Sequence, residues 1–308
     1  MPLIGVVDPS HKEMARDSLG RMPEWLPLDA AVAAAEATGT KWSPWTYELM
    51  AAMFGEYQDR QSRISASSLV DHCARADVIK RKADYVEDLE SLYVPFRGTM
   101  IHRTLELYGH TEAIVEHRFF TDVAGETISC SPDHLSRTTL TDYKVTETPP
   151  QYNNPWRNHT EQVQFNAFIC RNATRWRRSG DSLDGDEDFS SLPFDPRESP
   201  ASKLVVMYLA PKWPKALLVE KTTDYFDFKK GKEVRGKQPF VMSDDQVLDV
   251  LVPRVEMFRK GLEAYPEWPD GAEKVWGGDP GWRCPGYPLC RLPNCLAKRW
   301  PNRLTWEA

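Results

Sequence analysis

Apolar residues in the first half of the chain change from a helical spacing to the alternating spacing of strands. Helices are predicted over residues 65–82 and 98–107. Three short β-prone segments follow, at residues 113–120, 127–131 and 139–145. Because turn-forming polar and glycine residues separate these segments, we expect them to form three consecutive antiparallel strands.

The second half of the chain alternates in the same way, with longer helices. Residues 159–177 have the spacing of a long helix, and residues 203–210 and 216–221 have that of two more strands. Residues 243–264 predict a final helix with two aspartates in its first turn. This mixture of strands and helices predicts an α/β fold.

The flanking and connecting regions differ in composition from the predicted core. Residues 1–60 carry an alanine-rich stretch and the pair Ser43-Pro44, which is typical of a helix start, so they predict a helical extension. Residues 61–308 would then form the main domain. Residues 179–200 are acidic and rich in Ser, Gly and Pro, a composition that predicts a mobile loop.

Composition and charge narrow the class of protein. The 308 residues are 41% hydrophobic and 27% charged, as in soluble globular proteins. The chain has neither a signal-like start nor an apolar run of transmembrane length, so we expect a cytoplasmic protein with no membrane association. The net charge of −6 does not favour bulk electrostatic binding of nucleic acid. Basic runs at 75–82 and 171–178 are either a local positive track or solvated helix faces.

Three polar residues at the predicted strands carry the candidate chemistry. Asp142 and Lys144 are two apart in the third strand, so their side chains project to the same face. Asp133, which follows Pro132, can face them across the hairpin. Two carboxylates suit a hard divalent cation such as Mg²⁺ or Mn²⁺, and a lysine beside them suits phosphodiester hydrolysis. A turn aspartate and a solvent-exposed ion pair are the simpler alternative.

Two predicted helices add polar residues to this pattern. Gly98 precedes His102 by about one turn, and a glycine there would allow another backbone to approach closely. A single histidine is more often structural than a ligand. Gln162 and Gln164 lie in the helix after the third strand, and Gln164 shares a helix face with Phe168.

The order Gly-x-x-x-His, Pro-Asp, Asp-x-Lys and Gln-x-x-x-aromatic resembles the RecB-like branch of the PD-(D/E)XK nucleases. That branch includes the AddB nuclease domain and the CRISPR-associated RecB-like iron–sulfur exonucleases, and the resemblance covers about residues 64–300. It implies a core of αβββαβ order, in which a central mixed sheet has helices on both faces.

The resemblance also implies roles for individual residues. His102, Asp133 and Asp142 would bind Mg²⁺ or Mn²⁺. Lys144 would be catalytic together with the two aspartates, and Gln164 would line the active site. Gln164 is chosen over its neighbour because the ring four residues later replaces the tyrosine of the family. Glu116, on the first predicted strand, is a candidate auxiliary ligand.

Four of the six cysteines suggest a second metal centre. Three lie close together in a loop rich in Pro and Gly near the end of the chain, and one lies early in the predicted domain. They are Cys284, Cys290 and Cys295, with Cys73 as the fourth. The resemblance implies a [4Fe–4S] cluster that clasps the first helix of the domain to its last loop, and a structural Zn²⁺ site is the alternative. Cys130 and Cys170 are predicted to be core residues.

These inferences predict a Mg²⁺- or Mn²⁺-dependent deoxyribonuclease. We expect an exonuclease acting on single-stranded or resected DNA ends in recombination, repair, or phage- or CRISPR-related DNA processing. A helicase, a recombinase or a second copy of the chain is an expected partner. Tryptophans near the predicted cleft, such as Trp156, could stack unpaired bases, although most are expected to serve packing. Two alternatives stay open: a non-catalytic DNA-binding or scaffold subunit, and a zinc-stapled RNA-processing nuclease.

Overall fold

The computed structural model describes part of the chain and divides it into two compact units. One unit comprises residues 1–62, 71–99 and 256–308, and the other comprises residues 63–70 and 100–255. The predicted boundary at residue 60 is therefore too simple, because residues from the middle and the end of the chain join the N-terminal unit. The described residues are 3–7, 25–27, 30–31, 33, 49–53, 64–70, 78, 85–87, 89–108, 112–150, 155–178, 188–212, 214–227 and 232–264.

The elements are numbered in chain order. The strands are β1 (Leu3–Val7), β2 (Trp25–Pro27), β3 (Ile64–Ser65), β4 (Tyr85–Glu87), β5 (Arg118–Val123), β6 (Glu126–Cys130), β7 (His134–Leu135), β8 (Thr139–Val145), β9 (Arg175–Arg177), β10 (Lys203–Leu209), β11 (Pro214–Leu218), β12 (Glu220–Asp227) and β13 (Lys232–Pro239). The helices are α1 (Ala66–Leu69), α2 (Leu89–Leu107), α3 (Arg157–Arg171) and α4 (Asp244–Ala264).

The N-terminal unit contains a sheet where the sequence predicted helices alone. β1 pairs antiparallel with β2 and parallel with β4, in the order β2-β1-β4. Residues 49–53 are helical, and both methionines in that turn are buried. The prediction of an all-helical extension over residues 1–60 is therefore wrong, because two segments of that region pair as strands.

The second unit contains two four-stranded sheets, and α3 packs against strands of both. One sheet has the order β11-β10-β8-β7, in which β8 runs parallel to β10 and the other pairs are antiparallel. The other sheet has the order β3-β6-β5-β9. Mixed sheets flanked by helices confirm the α/β class.

Strand pairing differs from the prediction at one point that positions the site. β5 and β6 form the expected antiparallel hairpin, but β8 pairs with β7 and β10 and not with β6. After this hairpin the chain passes through Pro132 into the sheet β11-β10-β8-β7, in which β8 is a central strand. Parallel pairing with β10 places Asp142 opposite Val206 and Lys144 opposite Tyr208.

The segment after α3 also differs from its prediction. The predicted helix over residues 159–177 ends at Arg171, and its last residues form β9. Residues 188–200 contain a 3₁₀ turn at Phe189–Ser191 and bury the side chains of Phe189, Leu192 and Phe194. The predicted mobile loop is therefore wrong for residues 188–200, because three buried apolar side chains anchor that segment. Residues 179–187 lie outside the described residues.

The cysteines fall into two sets. Cys130 and Cys170 are buried, with their Sγ atoms 3.7 Å apart, which confirms them as core residues. The four cysteines of the predicted clasp lie outside the described residues, so the clasp stays a prediction. They are Cys73, Cys284, Cys290 and Cys295. Among the helices that the structure describes, none has the length and apolar character to cross a membrane.

Candidate functional site

Asp142, Lys144 and Gln162 form one half of the candidate site, here called the lysine group. Lys144 Nζ lies 2.9 Å from Asp142 Oδ2 and donates a hydrogen bond of 2.8 Å to Gln162 Oε1. The predicted placement of Asp142 and Lys144 on one face of a strand is therefore confirmed. A central strand and a helix supply the three side chains, so regular secondary structure fixes their positions.

Asp142 is the most deeply buried charge of the site, with 1% of its surface exposed. Burial raises the pKa of its carboxyl to about 6, while Lys144 opposes this rise and the nearby charge of Asp133 adds to it. Its Oδ2 atom is paired with the lysine by charge but lacks an aligned hydrogen bond among the described residues. The Lys144 ammonium is thus the cation that this oxygen faces, and a metal ion bound by Asp142 would share the carboxylate with the lysine.

His102, Glu116 and Asp133 form the other half, here called the histidine group. Their ligand atoms all lie within 4.8 Å of one another. His102 Nδ1 lies 3.1 Å from Glu116 Oε1 and 3.3 Å from Asp133 Oδ1. Burial alone would lower the pKa of His102, but the two carboxylates outweigh it and raise that pKa to about 10. The imidazolium therefore balances one of the two negative charges beside it.

The peptide of Tyr143 joins the two groups. Its N–H donates to Asp133 Oδ2, and its carbonyl oxygen accepts a 3.2 Å hydrogen bond from His102 Nε2. Because Nε2 is the donor to this carbonyl, Nδ1 is the ring atom that faces the carboxylates. The residue between Asp142 and Lys144 thus orients the histidine and the aspartate of the other group.

Glu116 reaches the site through an unusual backbone conformation. It was predicted on the first strand, but β5 begins two residues later, at Arg118. Its φ of 55° lies in the left-handed region, which glutamate adopts only at a cost in free energy. Its N–H donates to the carbonyl of Pro132, which ties it to the residue before Asp133. The strained turn directs the Glu116 carboxylate towards His102.

The glutamine prediction is corrected by the structure. Gln162, and not Gln164, contacts Lys144. Gln164 is 1% exposed, and its amide bonds to the backbone of another segment. Its Nε2 donates to the carbonyl of Phe240, and its Oε1 accepts from the N–H of Met242. Two residues along a helix turn the side chain by about 200°, so both glutamines cannot face the same site. Gln164 was chosen because Phe168 lies four residues later. The position of α3 on the sheets instead decides which helix face meets Lys144.

The expectation of a backbone close to Gly98 has no support among the described residues. A Cβ atom at this position would meet no atom of the described residues within 4 Å. Gly98 lies inside α2 with no close backbone neighbour in that part of the chain. The spacing from Gly98 to His102 therefore reflects a shared helix and not a close approach.

No family model and no curated protein matches the chain. Among solved structures, the chain matches the crystal structure of SSO0001 at 15% sequence identity with a TM-score of 0.39. The match covers 68% of this chain and 82% of that one. A likeness of this size carries no argument about fold or function.

The donor set of the histidine group fits a hard divalent cation. It offers two carboxylates, and His102 adds an imidazole nitrogen once a cation displaces the proton on Nδ1; these groups are ligands of Mg²⁺ and Mn²⁺ in proteins. The predicted ligand set differed, because it contained Asp142 in place of Glu116. Asp142 lies outside the 4.8 Å group, yet the charges of both Asp133 and His102 act on it. The three carboxylates, His102 and Lys144 together carry one net negative charge, which favours a cation.

Proposed function

We propose that this protein is a metal-dependent DNA nuclease of the PD-(D/E)XK class that acts as an exonuclease on single-stranded or resected ends. The observation that carries the proposal is the position of Lys144. Its ammonium lies between Asp142 and Gln162, while the backbone of the preceding residue, Tyr143, holds Asp133 and His102. Apart from the short strands β7 and β9, the elements from α2 to β10 follow the αβββαβ order of that class, although β5 and β6 lie in one sheet and β8 and β10 in the other.

In the proposed reaction each side chain has a separate task. Lys144 holds a proton at Nζ and directs it towards the attacking water or the developing charge on the phosphate. Gln162 fixes the lysine by accepting one of its hydrogen bonds, so the ammonium keeps its orientation. Asp142 pairs with the same ammonium and holds it on this face of the sheet.

His102, Glu116, Asp133 and Asp142 would hold Mg²⁺ or Mn²⁺. A divalent cation bound there supplies Lewis-acid polarisation of the phosphate. The fit rests on two features of the chain itself: the converging donors of the histidine group, and the Asp142 oxygen without an aligned hydrogen bond. The Tyr143 peptide would keep the ligands oriented, as groups behind metal ligands commonly do.

A [4Fe–4S] cluster at Cys73, Cys284, Cys290 and Cys295 remains part of the proposal, with Zn²⁺ as the alternative metal. Absorption near 400 nm on anaerobic purification, compared with zinc content, separates the two. DNA with free ends is the proposed partner, and a helicase, a recombinase or a second copy of the chain would set how far the enzyme travels.

The test uses anaerobically purified protein, end-labelled single- and double-stranded DNA, matched RNA, and Mg²⁺ or Mn²⁺. We expect metal-dependent cleavage of DNA that Asp142→Ala lowers by about 10³-fold or more. Asp249→Ala, which removes an exposed aspartate on α4, is the matched control and should cleave at the wild-type rate. Wild-type protein that binds DNA and cuts nothing would contradict the proposal and favour a scaffold. Preferential cleavage of RNA would contradict the choice of DNA.

A further inference from the structure

A cluster of three aromatic rings lies beside the lysine group. The ring centroid of Trp156 is 5.3 Å from that of His159 and 5.4 Å from that of Tyr208. Tyr208 is fully buried, whereas Trp156 is 43% exposed. A large apolar ring with this exposure, supported from behind by two other rings, offers a flat surface to a ligand.

Hydrogen bonds hold the cluster in place. Tyr208 Oη accepts a 3.0 Å hydrogen bond from the backbone N–H of Trp156 and lies 2.9 Å from His159 Nδ1. Trp156 therefore sits at the start of α3 with its backbone fixed to a core side chain. A ring that is already ordered loses little conformational entropy when a ligand stacks on it.

The cluster is directly connected to the proposed catalytic centre. Tyr208 is paired in register with Lys144 on the neighbouring parallel strand, about 5 Å away, so the two side chains point to the same face of the sheet. The charge of Asp142 acts on Tyr208, which agrees with this proximity. The ring of Tyr208 in turn contacts that of Trp156, with their centroids 5.4 Å apart. A nucleotide adjacent to a phosphate bound at Lys144 can therefore reach Trp156.

A positive charge accompanies the exposed ring. Arg157 follows Trp156, and its side chain is 90% exposed. Its ion pair with Glu161, at 3.1 Å, joins residues one helical turn apart, and pairs with so exposed a partner are weak. Glu161 also pairs with Arg254 at 2.8 Å, so it keeps a cationic partner when Arg157 leaves. The guanidinium can accordingly exchange its carboxylate for a phosphate of a bound strand.

We propose that Trp156 is the base-stacking residue that gives the site a preference for single-stranded DNA, with Arg157 on the adjoining phosphate. This inference rests on the proposed function and names its substrate class. A base can stack on Trp156 only if it is not already stacked between its neighbours in a duplex. Double-stranded DNA would reach the ring only at a frayed end.

Binding is measured separately from cleavage, in an Asp142→Asn background with Mg²⁺, by fluorescence anisotropy of labelled oligo-dT. Trp156→Ala should weaken single-strand binding by about 5- to 150-fold, the range that one stacked base contributes. Trp156→Phe, which keeps a ring, should stay within about 3-fold of the parent. Tyr108→Ala removes an exposed aromatic residue at the end of α2 and is the matched control.

A second measurement leaves the tryptophan in place. Oligonucleotides with one abasic site at successive positions should bind more weakly at one position next to the cleaved bond. The same oligonucleotides should bind Trp156→Ala without that position-specific loss. The position-specific loss in the protein that keeps Trp156 does not depend on how well Trp156→Ala folds.

The two proposals fail in different ways. Single-strand binding unchanged by Trp156→Ala, in a protein that still cleaves DNA, overturns the stacking role and leaves the nuclease. Tryptophan-dependent binding without metal-dependent cleavage by the unmodified protein overturns the nuclease and supports stacking. Equal losses for single- and double-stranded DNA overturn the strand preference, and a tryptophan-dependent effect confined to RNA overturns the choice of DNA.

Discussion

The histidine group and the lysine group both hold carboxylates beside a cationic side chain, but different features of the fold keep them in place. In the histidine group, an imidazolium lies between two carboxylates, and part of that arrangement depends on a strained residue, Glu116. In the lysine group, a strand and a helix position the side chains, and one carboxylate, Asp142, is almost completely buried. The first group is stabilised by its own charges, whereas the second is imposed by the sheet. Removing a carboxylate charge should therefore lower the free energy of unfolding in the histidine group and raise it in the lysine group.

The largest expected effect concerns the only ammonium of the two groups. Lys144→Met keeps the length of the side chain and removes the proton donor, so cleavage should fall by about 10² to 10⁴-fold. DNA binding should change much less, because the phosphate backbone has other cationic partners such as Arg157. Single-turnover cleavage and anisotropy measure the two quantities. A variant that cleaves normally would remove Lys144 from the mechanism and reduce the lysine group to a structural ion pair.

The two glutamines of α3 should separate function from stability. Gln164→Ala leaves the buried carbonyl of Phe240 and the N–H of Met242 without their partner, so the free energy of unfolding should fall by about 2 to 4 kcal/mol. Gln162→Ala should leave stability nearly unchanged and lower cleavage by about 10-fold, because Lys144 loses one anchor.

Urea unfolding and single-turnover cleavage are both needed for this pair. The reverse result, in which Gln164→Ala is stable and inactive, would restore the assignment made from the sequence motif. It would also show that the segment carrying Phe240 is released when substrate binds.

Removing charge from each group tests the comparison directly. In EDTA, Asp142→Asn should raise the free energy of unfolding by about 1 to 3 kcal/mol, because the cost of burying this carboxylate, which raises its pKa to about 6, outweighs its attraction to Lys144. Glu116→Gln should lower it by about 1 kcal/mol, because His102 loses one of its two carboxylate partners. Thermal unfolding in EDTA measures both changes.

The same two variants indicate where the cation binds. Addition of Mn²⁺ should raise the melting temperature of the wild type, since a ligand that binds only the folded state stabilises it. Both substitutions should reduce this rise. If Asp142→Asn retains the full rise while Glu116→Gln loses it, the cation belongs to the histidine group alone.

The sequence predicted the strand pair Asp142 and Lys144 of the lysine group but not Gln162. It named all three residues of the histidine group as candidate ligands but not the turn that brings Glu116 to the other two. Alternation along a strand has a period of two whatever the strand pairs with, so Asp142 and Lys144 could be placed on one face in advance. The parallel pairing of β8 with β10 could not be predicted in the same way, because that contact joins residues far apart in the chain.

Other features depended on tertiary structure and left no local signal. Glycine or asparagine usually occupies a left-handed position, but here the residue is Glu116, so the sequence did not predict the turn. The face of α3 that meets Lys144 is set by how that helix lies on two sheets, and the ring at Phe168, on which the choice of Gln164 rested, carries no information about that placement. Phe189 and Phe194 are apolar anchors inside an acidic, Ser-rich stretch, where average composition concealed them.

The smallest expected effect concerns the helix that carries His102. Gly98 lies inside α2, and a Cβ there has open space among the described residues. Gly98→Ala should therefore raise the free energy of unfolding by about 0.5 to 1 kcal/mol, because alanine restricts the unfolded chain and favours the helix. Cleavage should remain at the wild-type rate, since His102 keeps its place one turn later. Gly98→Val, with a branched side chain of lower helix propensity, should lack the gain and thereby control for the general effect of adding a side chain. Normal stability with lost cleavage in Gly98→Ala would instead mean that a substrate strand passes close to this backbone, and the histidine group would then contact DNA as well as metal.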